Sequence, residues 1–156
     1  MRAPFIALVA LSVAGCIDTD TAVFVDATID NPSLTVTEET LGAALGGSFE
    51  LTLHLGARAS GPSSVSYQSF SLAKEDGTVI VESLPVSASQ PAPVEVEPGG
   101  TDSVVTFTID TGADLLDAAI KDQICAGSVV VMGVIDDSLA TSATPVESEP
   151  FSPSGC

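Results

Sequence analysis

The sequence predicts an all-β fold, an antiparallel sandwich of about seven or eight short strands with one short helix near residues 112–124. Apolar and polar residues alternate with a period of two over several segments, as they do in strands with one buried face. Turn-forming Gly, Pro, Asn and Asp separate these segments, and only one segment has helical spacing. No repeat of 20–50 residues is present, which argues against a solenoid or a propeller.

In the N-terminal half, alternation predicts strands over residues 22–29 and 48–59, with a short strand at 34–36. The turn residues at 30–33 are expected to separate the strand at 22–29 from the short strand at 34–36. The small, glycine-rich segment 41–47 is interpreted as a loop.

In the middle of the chain, residues 65–73 form the next predicted strand, and its alternation changes phase near Ser69, as at a β-bulge. The Asp76-Gly77 dipeptide indicates a tight hairpin turn into a strand at 78–84. The proline-rich segment 85–93 is expected to be a loop or a crossing at a sheet edge. Further strands are predicted at 94–97 and 102–109.

The helical segment has leucine and isoleucine at Leu116, Ile120 and Ile124, four residues apart. Thr111 is the expected cap, with the negative charge of Asp114 in the first turn. Beyond Gly127, residues 128–135 are apolar at almost every position, as in a central strand, and Asp136-Asp137-Ser138 is predicted to turn the chain. An edge strand within 141–151 completes the pattern.

This arrangement resembles the immunoglobulin-like domains that are common on exported bacterial proteins. The resemblance concerns the architecture, because the sequence lacks the cysteine–tryptophan–cysteine pattern of many such domains and contains no tryptophan. It implies a single sandwich domain over residues 22–156.

The N-terminus carries Arg2, an uninterrupted apolar run and then Val13-Ala14-Gly15-Cys16. Positive charge, apolar run and small residues follow one another as in a secretory signal, and the apolar run is too short to span a bilayer as a helix. Its last four residues resemble the lipobox of bacterial lipoproteins; the alternative is an ordinary signal peptide followed by an unrelated cysteine. The resemblance implies a signal peptide over 1–15, acylation of Cys16 and a lipidated tether over 16–21. Ile17, in place of an aspartate, favours the outer over the inner membrane.

Net charge restricts the partners that this chain can have. The formal charge is −17, which disfavours nucleic acids and anionic lipid surfaces because both repel an anionic protein. Aromatic residues make up 4% of the chain, too few to predict a binding face built on stacking. The charge is compatible with solubility beside a membrane, with a salty habitat or with cation binding.

Three cysteines are present. With Cys16 assigned to lipid, Cys125 and Cys156 remain, and an exported protein is where such a pair oxidises. The sequence therefore predicts a disulfide that ties down the C-terminus. A metal pair or reactive thiol is the weaker alternative, because no histidine or further cysteine lies nearby in the sequence.

Catalytic motifs are not evident. His54 is the only histidine, and strand alternation places it on a solvent-facing side, so a Ser–His–Asp triad is not expected. Clustered zinc ligands and phosphate-binding loops are absent from the sequence. Carboxylates remain, and Asp136, Asp137 and Asp110 are the candidate ligands for calcium, with solvated acidic turns as the alternative interpretation.

The sequence thus predicts a lipid-anchored, non-catalytic protein of the bacterial cell envelope that acts as an interaction or structural module. Its expected partners are the membrane, through the lipid, and another envelope protein or surface component, with no nucleic acid. No cofactor is predicted. The alternative is a calcium-dependent binding domain that uses acidic loops.

Overall fold

The computed structural model describes residues 22–112 and 114–156. The predicted signal peptide and tether, including Cys16, therefore lie outside the described residues. Within the described part there are nine strands and one helix. They are β1 (Asp26–Glu39), β2 (Gly42–His54), β3 (Ser63–Lys74), β4 (Val79–Val81), β5 (Val86–Ala88), β6 (Val94–Val96), β7 (Ser103–Asp110), α1 (Ala118–Ile124), β8 (Val129–Asp137) and β9 (Thr144–Glu147).

The strands form two antiparallel sheets that pack face to face, so the predicted all-β sandwich is confirmed. Sheet A has the order β1-β2-β7-β5. Sheet B has the order β4-β3-β8-β9, and β6 pairs with the first three residues of β3. Residues that alternate along the strands fill the space between the sheets, as the period-two pattern predicts.

Aromatic rings form the centre of this core. Phe49 and Phe107 are cross-strand partners of sheet A, and their rings stack with centroids 4.9 Å apart. Phe70 of sheet B meets the Phe107 ring edge-on at 4.7 Å, and Tyr67 does so at 5.0 Å. Both geometries are favourable for aromatic pairs, so this cluster holds the two sheets together.

β1 and β2 form a long hairpin, and the prediction of a loop at 41–47 is wrong. β2 begins at Gly42, within that segment, and Leu45 is buried. The glycines permit close approach of β1: a Cβ on Gly47 would lie 2.1 Å from the carbonyl oxygen of Ser33. β1 itself runs through the predicted turn at 30–33, with Asn31 at a φ of 50° and a register shift there.

The helix is shorter than predicted. α1 spans only Ala118–Ile124, and the buried Ile124 fixes it to the core. Thr111 does not cap it: the Thr111 hydroxyl accepts the N–H of Leu45 at 2.9 Å. Leu116 pairs with Ala43 through backbone hydrogen bonds in both directions, so the chain just before α1 is joined to β2 at this residue.

Two further expectations concern sheet B. The predicted bulge near Ser69 is confirmed by a register shift between Tyr67 and Phe70 where β3 pairs with β8. The predicted turn at 136–138 begins later than expected, because Asp136 and Asp137 are still paired with β3 as the last residues of β8.

Candidate functional site

The sandwich has two distinct ends. At one end, β7 begins at Ser103, which pairs with Leu53 beside the start of β1; we call this the anchor end. At the other, β7 finishes at Asp110, which pairs with Gly46; we call this the distal end. An eight-residue strand separates the two ends by about 24 Å. The predicted site residues are distributed between them.

Asp137 lies at the anchor end and is 5% exposed. Its carboxylate accepts hydrogen bonds from the N–H of Val25 at 2.7 Å, the N–H of Leu139 at 2.8 Å and the hydroxyl of Ser63. Burial alone would raise the pKa of Asp137, but the hydrogen bonds from Ser63, Val25 and Leu139 outweigh it and the pKa is lowered. Asp137 therefore fixes the point at which the chain enters the domain.

Replacing Asp137 with asparagine is expected to lower the free energy of unfolding by about 2 kcal/mol at neutral pH, because one of the buried donors loses its acceptor. Since the folded pKa is depressed, the carboxylate contributes its full stability above its unfolded pKa of about 3.9 and loses it as the pH falls through the folded pKa. Urea unfolding of the wild-type protein and the Asp137→Asn variant at pH 7 and in strong acid measures this effect. The difference between their free energies of unfolding should be smaller in acid.

Asp136 provides the matched control for that measurement. It neighbours Asp137 on β8, but its side chain points to the opposite face and accepts a hydrogen bond from the amide of Gln68 at 3.0 Å near the surface. Replacing Asp136 with asparagine should change stability by less than about 0.5 kcal/mol. Equal losses for the two variants would contradict a specific role for Asp137.

The three candidate calcium ligands are not brought together. Asp136 and Asp137 face opposite sides of sheet B at the anchor end, and Asp110 lies at the distal end, where it accepts the N–H of Gly112 at 2.7 Å. Among residues 22–112 and 114–156, no group of three or more His, Cys, Asp or Glu side chains is arranged to hold a metal ion. The oxygens of Asp137 are already engaged by protein donors.

His54 lies at the end of β2 and is partly exposed, as the alternation predicted. Its Nδ1 is 2.7 Å from the Asp102 carboxylate, and both side chains are accessible to solvent. The two residues are 48 positions apart, and no local sequence signal connects them. The strand register brings them together, because His54 ends β2 while Asp102 precedes its neighbour β7.

Cys125 and Cys156 lie at disulfide distance near the distal end, with Sγ atoms 2.10 Å apart and Cα atoms 5.5 Å apart. The C-terminal tail that ends in Cys156 runs beside β1: the carbonyl of Ser154 accepts the N–H of Val36 at 2.8 Å, and the N–H of Ser154 donates to Leu34 at 2.9 Å. The tail therefore covers part of the open edge of sheet A, which would otherwise be free to pair with another chain.

The outer face of sheet B carries a shallow depression of about 370 Å³, which we call the outer groove. Its floor includes Met132 and Val134 of β8 together with Pro145 of β9. Ser71 and the carboxylates of Glu82 and Glu147 also line it. Val134 is 39% exposed, so an apolar surface here is open to a partner.

The described residues contain no helix that is long and apolar enough to cross a membrane. In comparisons with known proteins, the chain matches no protein-family model, no curated protein and no solved structure.

Proposed function

We propose that this protein is a lipid-anchored, non-catalytic module of the bacterial cell envelope, held to the membrane through Cys16 and engaged in protein interactions through its folded body. The observation that carries the proposal is the order of charge, apolar run and Val13-Ala14-Gly15-Cys16 at the N-terminus. A diacylated or triacylated cysteine attaches far more firmly than a single acyl chain does.

The position of the chain entry supports this arrangement. Asp137 holds the N–H of Val25 at the anchor end, so a tether leading back to Cys16 would leave the body from that end. The nine residues from Cys16 to Phe24 can span at most about 30 Å when extended. The full sequence has a net charge of −17, and the body contains most of its acidic residues, so the body would be repelled by anionic headgroups and would stand away from the surface, with its distal end outermost.

The strand order supports the immunoglobulin-like resemblance of the body. In their order across each sheet, β1, β2, β7 and β5 would correspond to strands A, B, E and D of that fold, and β3, β8 and β9 to C, F and G. The link between cysteines differs from the inter-sheet disulfide of antibody domains, because it joins the residue after α1 to the C-terminus. Such sandwiches serve many functions, and the fold alone assigns none.

Metabolic labelling with an alkyne fatty acid in the native bacterium tests the anchor. The wild-type protein should be labelled and should sediment with membranes, whereas Cys16→Ser should lose the label because it has no thiol to acylate. Ser12→Ala is the control, since it alters the apolar run and leaves the four lipobox residues intact. Undiminished labelling of Cys16→Ser, or an unlabelled wild-type protein, would contradict the proposal.

A further inference from the structure

Strand β8 is apolar on both of its faces; the inward face is buried in the sandwich, and the outward face is covered along only part of its length. Val131 and Ile135 point into the core and are fully buried. Met132 and Val134 point outward into the outer groove, and Val134 is 39% exposed. The sequence predicted a strand that is apolar on both sides, and the outward side is covered at Val130, which is 1% exposed, but is open at Val134 within the described residues. This pattern indicates that a partner covers the exposed part of the outward face.

The bulge in β3 shapes this surface. Tyr67 pairs with Ile135 and Phe70 with Gly133, so two residues of β3, Gln68 and Ser69, lie opposite Val134 alone. A bulge of this kind interrupts the pairing and bends the strand. Together with the small side chains of Ser69 and Ser71, it leaves the Val134 side chain in an open depression.

A carboxylate lies at each end of one row of residues that crosses the groove. Ser71 pairs with Met132, and Met132 pairs with Glu147, while Glu82 follows the β4 residue that pairs beside Ser71. One row across sheet B therefore reads glutamate, serine, methionine, glutamate. Its two ends are three strand spacings apart, which is about 14 Å. Both glutamates are exposed, and we call them the acidic rims of the outer groove.

This arrangement selects among the classes of partner. A second copy of the chain carries the same charge of −17 and would place acidic rims against acidic rims. An anionic membrane surface is repelled for the same reason. A cationic segment is attracted to both rims, and its side chains can neutralise Glu82 and Glu147 while an apolar group covers Met132.

We infer that the outer groove binds an extended segment of another protein with two basic side chains four residues apart and an apolar side chain midway between them. In an extended chain, residues four apart lie on the same face and are separated by about 14 Å, which matches the span between the two rims. The inference rests on the proposed function and names the surface and the partner chemistry for it.

The test uses the full-length protein, purified from membranes in detergent, and two synthetic peptides. The first has the central order lysine, serine, leucine, serine, lysine, and the second has the same composition with its lysines adjacent. The first peptide should bind at least about fivefold more tightly by fluorescence anisotropy, because it alone can reach both rims. Its binding should weaken as salt is raised.

Matched variants identify the surface. The Glu82→Gln/Glu147→Gln variant should weaken binding of the first peptide about five- to tenfold, and Val134→Ser should weaken it severalfold. The Glu95→Gln/Glu97→Gln variant removes the same charge from exposed positions outside the groove and should leave binding nearly unchanged. Circular dichroism checks that each variant is folded.

Equal binding of the two peptides, equal weakening by the two glutamate pairs, or no binding at all would overturn the inference. Each of these outcomes leaves the membrane anchor intact, because acylation of Cys16 is measured independently by labelling. Conversely, an unlabelled Cys16 would overturn the proposed anchor, while the peptide experiment would still report on the groove.

Discussion

Replacing Phe107 with alanine is expected to lower the free energy of unfolding by about 3–5 kcal/mol. The Phe107 side chain is 1% exposed, and its ring contacts Phe49, Tyr67 and Phe70, with all three centroids within 5.0 Å. The substitution removes a ring that contacts aromatic side chains of both sheets and leaves a cavity that the surrounding strands cannot fill completely. Urea unfolding followed by far-ultraviolet circular dichroism measures the loss.

Val104→Ala is the matched control for this experiment. Val104 lies on the same strand, β7, and faces outward with 42% exposure. Its loss should cost less than about 0.5 kcal/mol, because little packed surface is removed. If Phe107→Ala were as mild as Val104→Ala, the aromatic cluster would not be the centre of the core.

Replacing both Cys125 and Cys156 with serine is expected to lower the free energy of unfolding by about 3–4 kcal/mol. The two cysteines are 31 positions apart, so the link between them restricts the unfolded chain substantially. Its loss should also free the C-terminal tail, and the amide of Val36, which donates to Ser154, should exchange its hydrogen faster. Chemical denaturation and hydrogen exchange of the double variant measure these two effects.

The wild-type protein treated with a reducing agent is the control. It should lose stability to the same level as the double variant, whose own stability should not respond to the reducing agent. Insensitivity of the wild-type protein to reduction, together with two free thiols in the folded state, would show that the bridge does not form.

The parts of the fold that follow from local pattern were predictable from the sequence. Alternation in β2 and β7 placed Phe49, Leu51, Val105 and Phe107 in the core, where the structure has them. The phase change at Ser69 indicated the bulge, and the two cysteines that remain after Cys16 indicated the pair that lies at disulfide distance. In each case a short stretch of sequence, or the residue type alone, carries the physical cause.

The remaining features depend on contacts between distant segments. The glycine-rich start of β2 forms a strand because β1 approaches it closely, and the sequence of that segment contains no alternating bulky residues that would show this. Threonine is a common helix-capping residue, but the Thr111 hydroxyl accepts the backbone N–H of Leu45 in β2 instead. Asp137 resembled a turn residue, and its three donors come from positions between 2 and 112 residues away.

The outer groove illustrates the same limit for the candidate site. The apolar run at 128–135 correctly indicated a strand with two apolar faces, but its composition is the same whether the second face is covered by the domain or left open. The position of Glu82 and Glu147 at the two ends of one row follows from the order of β4, β3, β8 and β9 in sheet B. The order of these strands can be read only from the structure.

Intact-mass and N-terminal fragment analysis of the protein isolated from its native membranes tests the lipid anchor most directly. A mature chain that begins at residue 16 is expected, with a diacylglycerol on the Cys16 sulfur and usually an acyl group on its amine. A chain that still begins at Met1, or one with an unmodified thiol at Cys16, would contradict it.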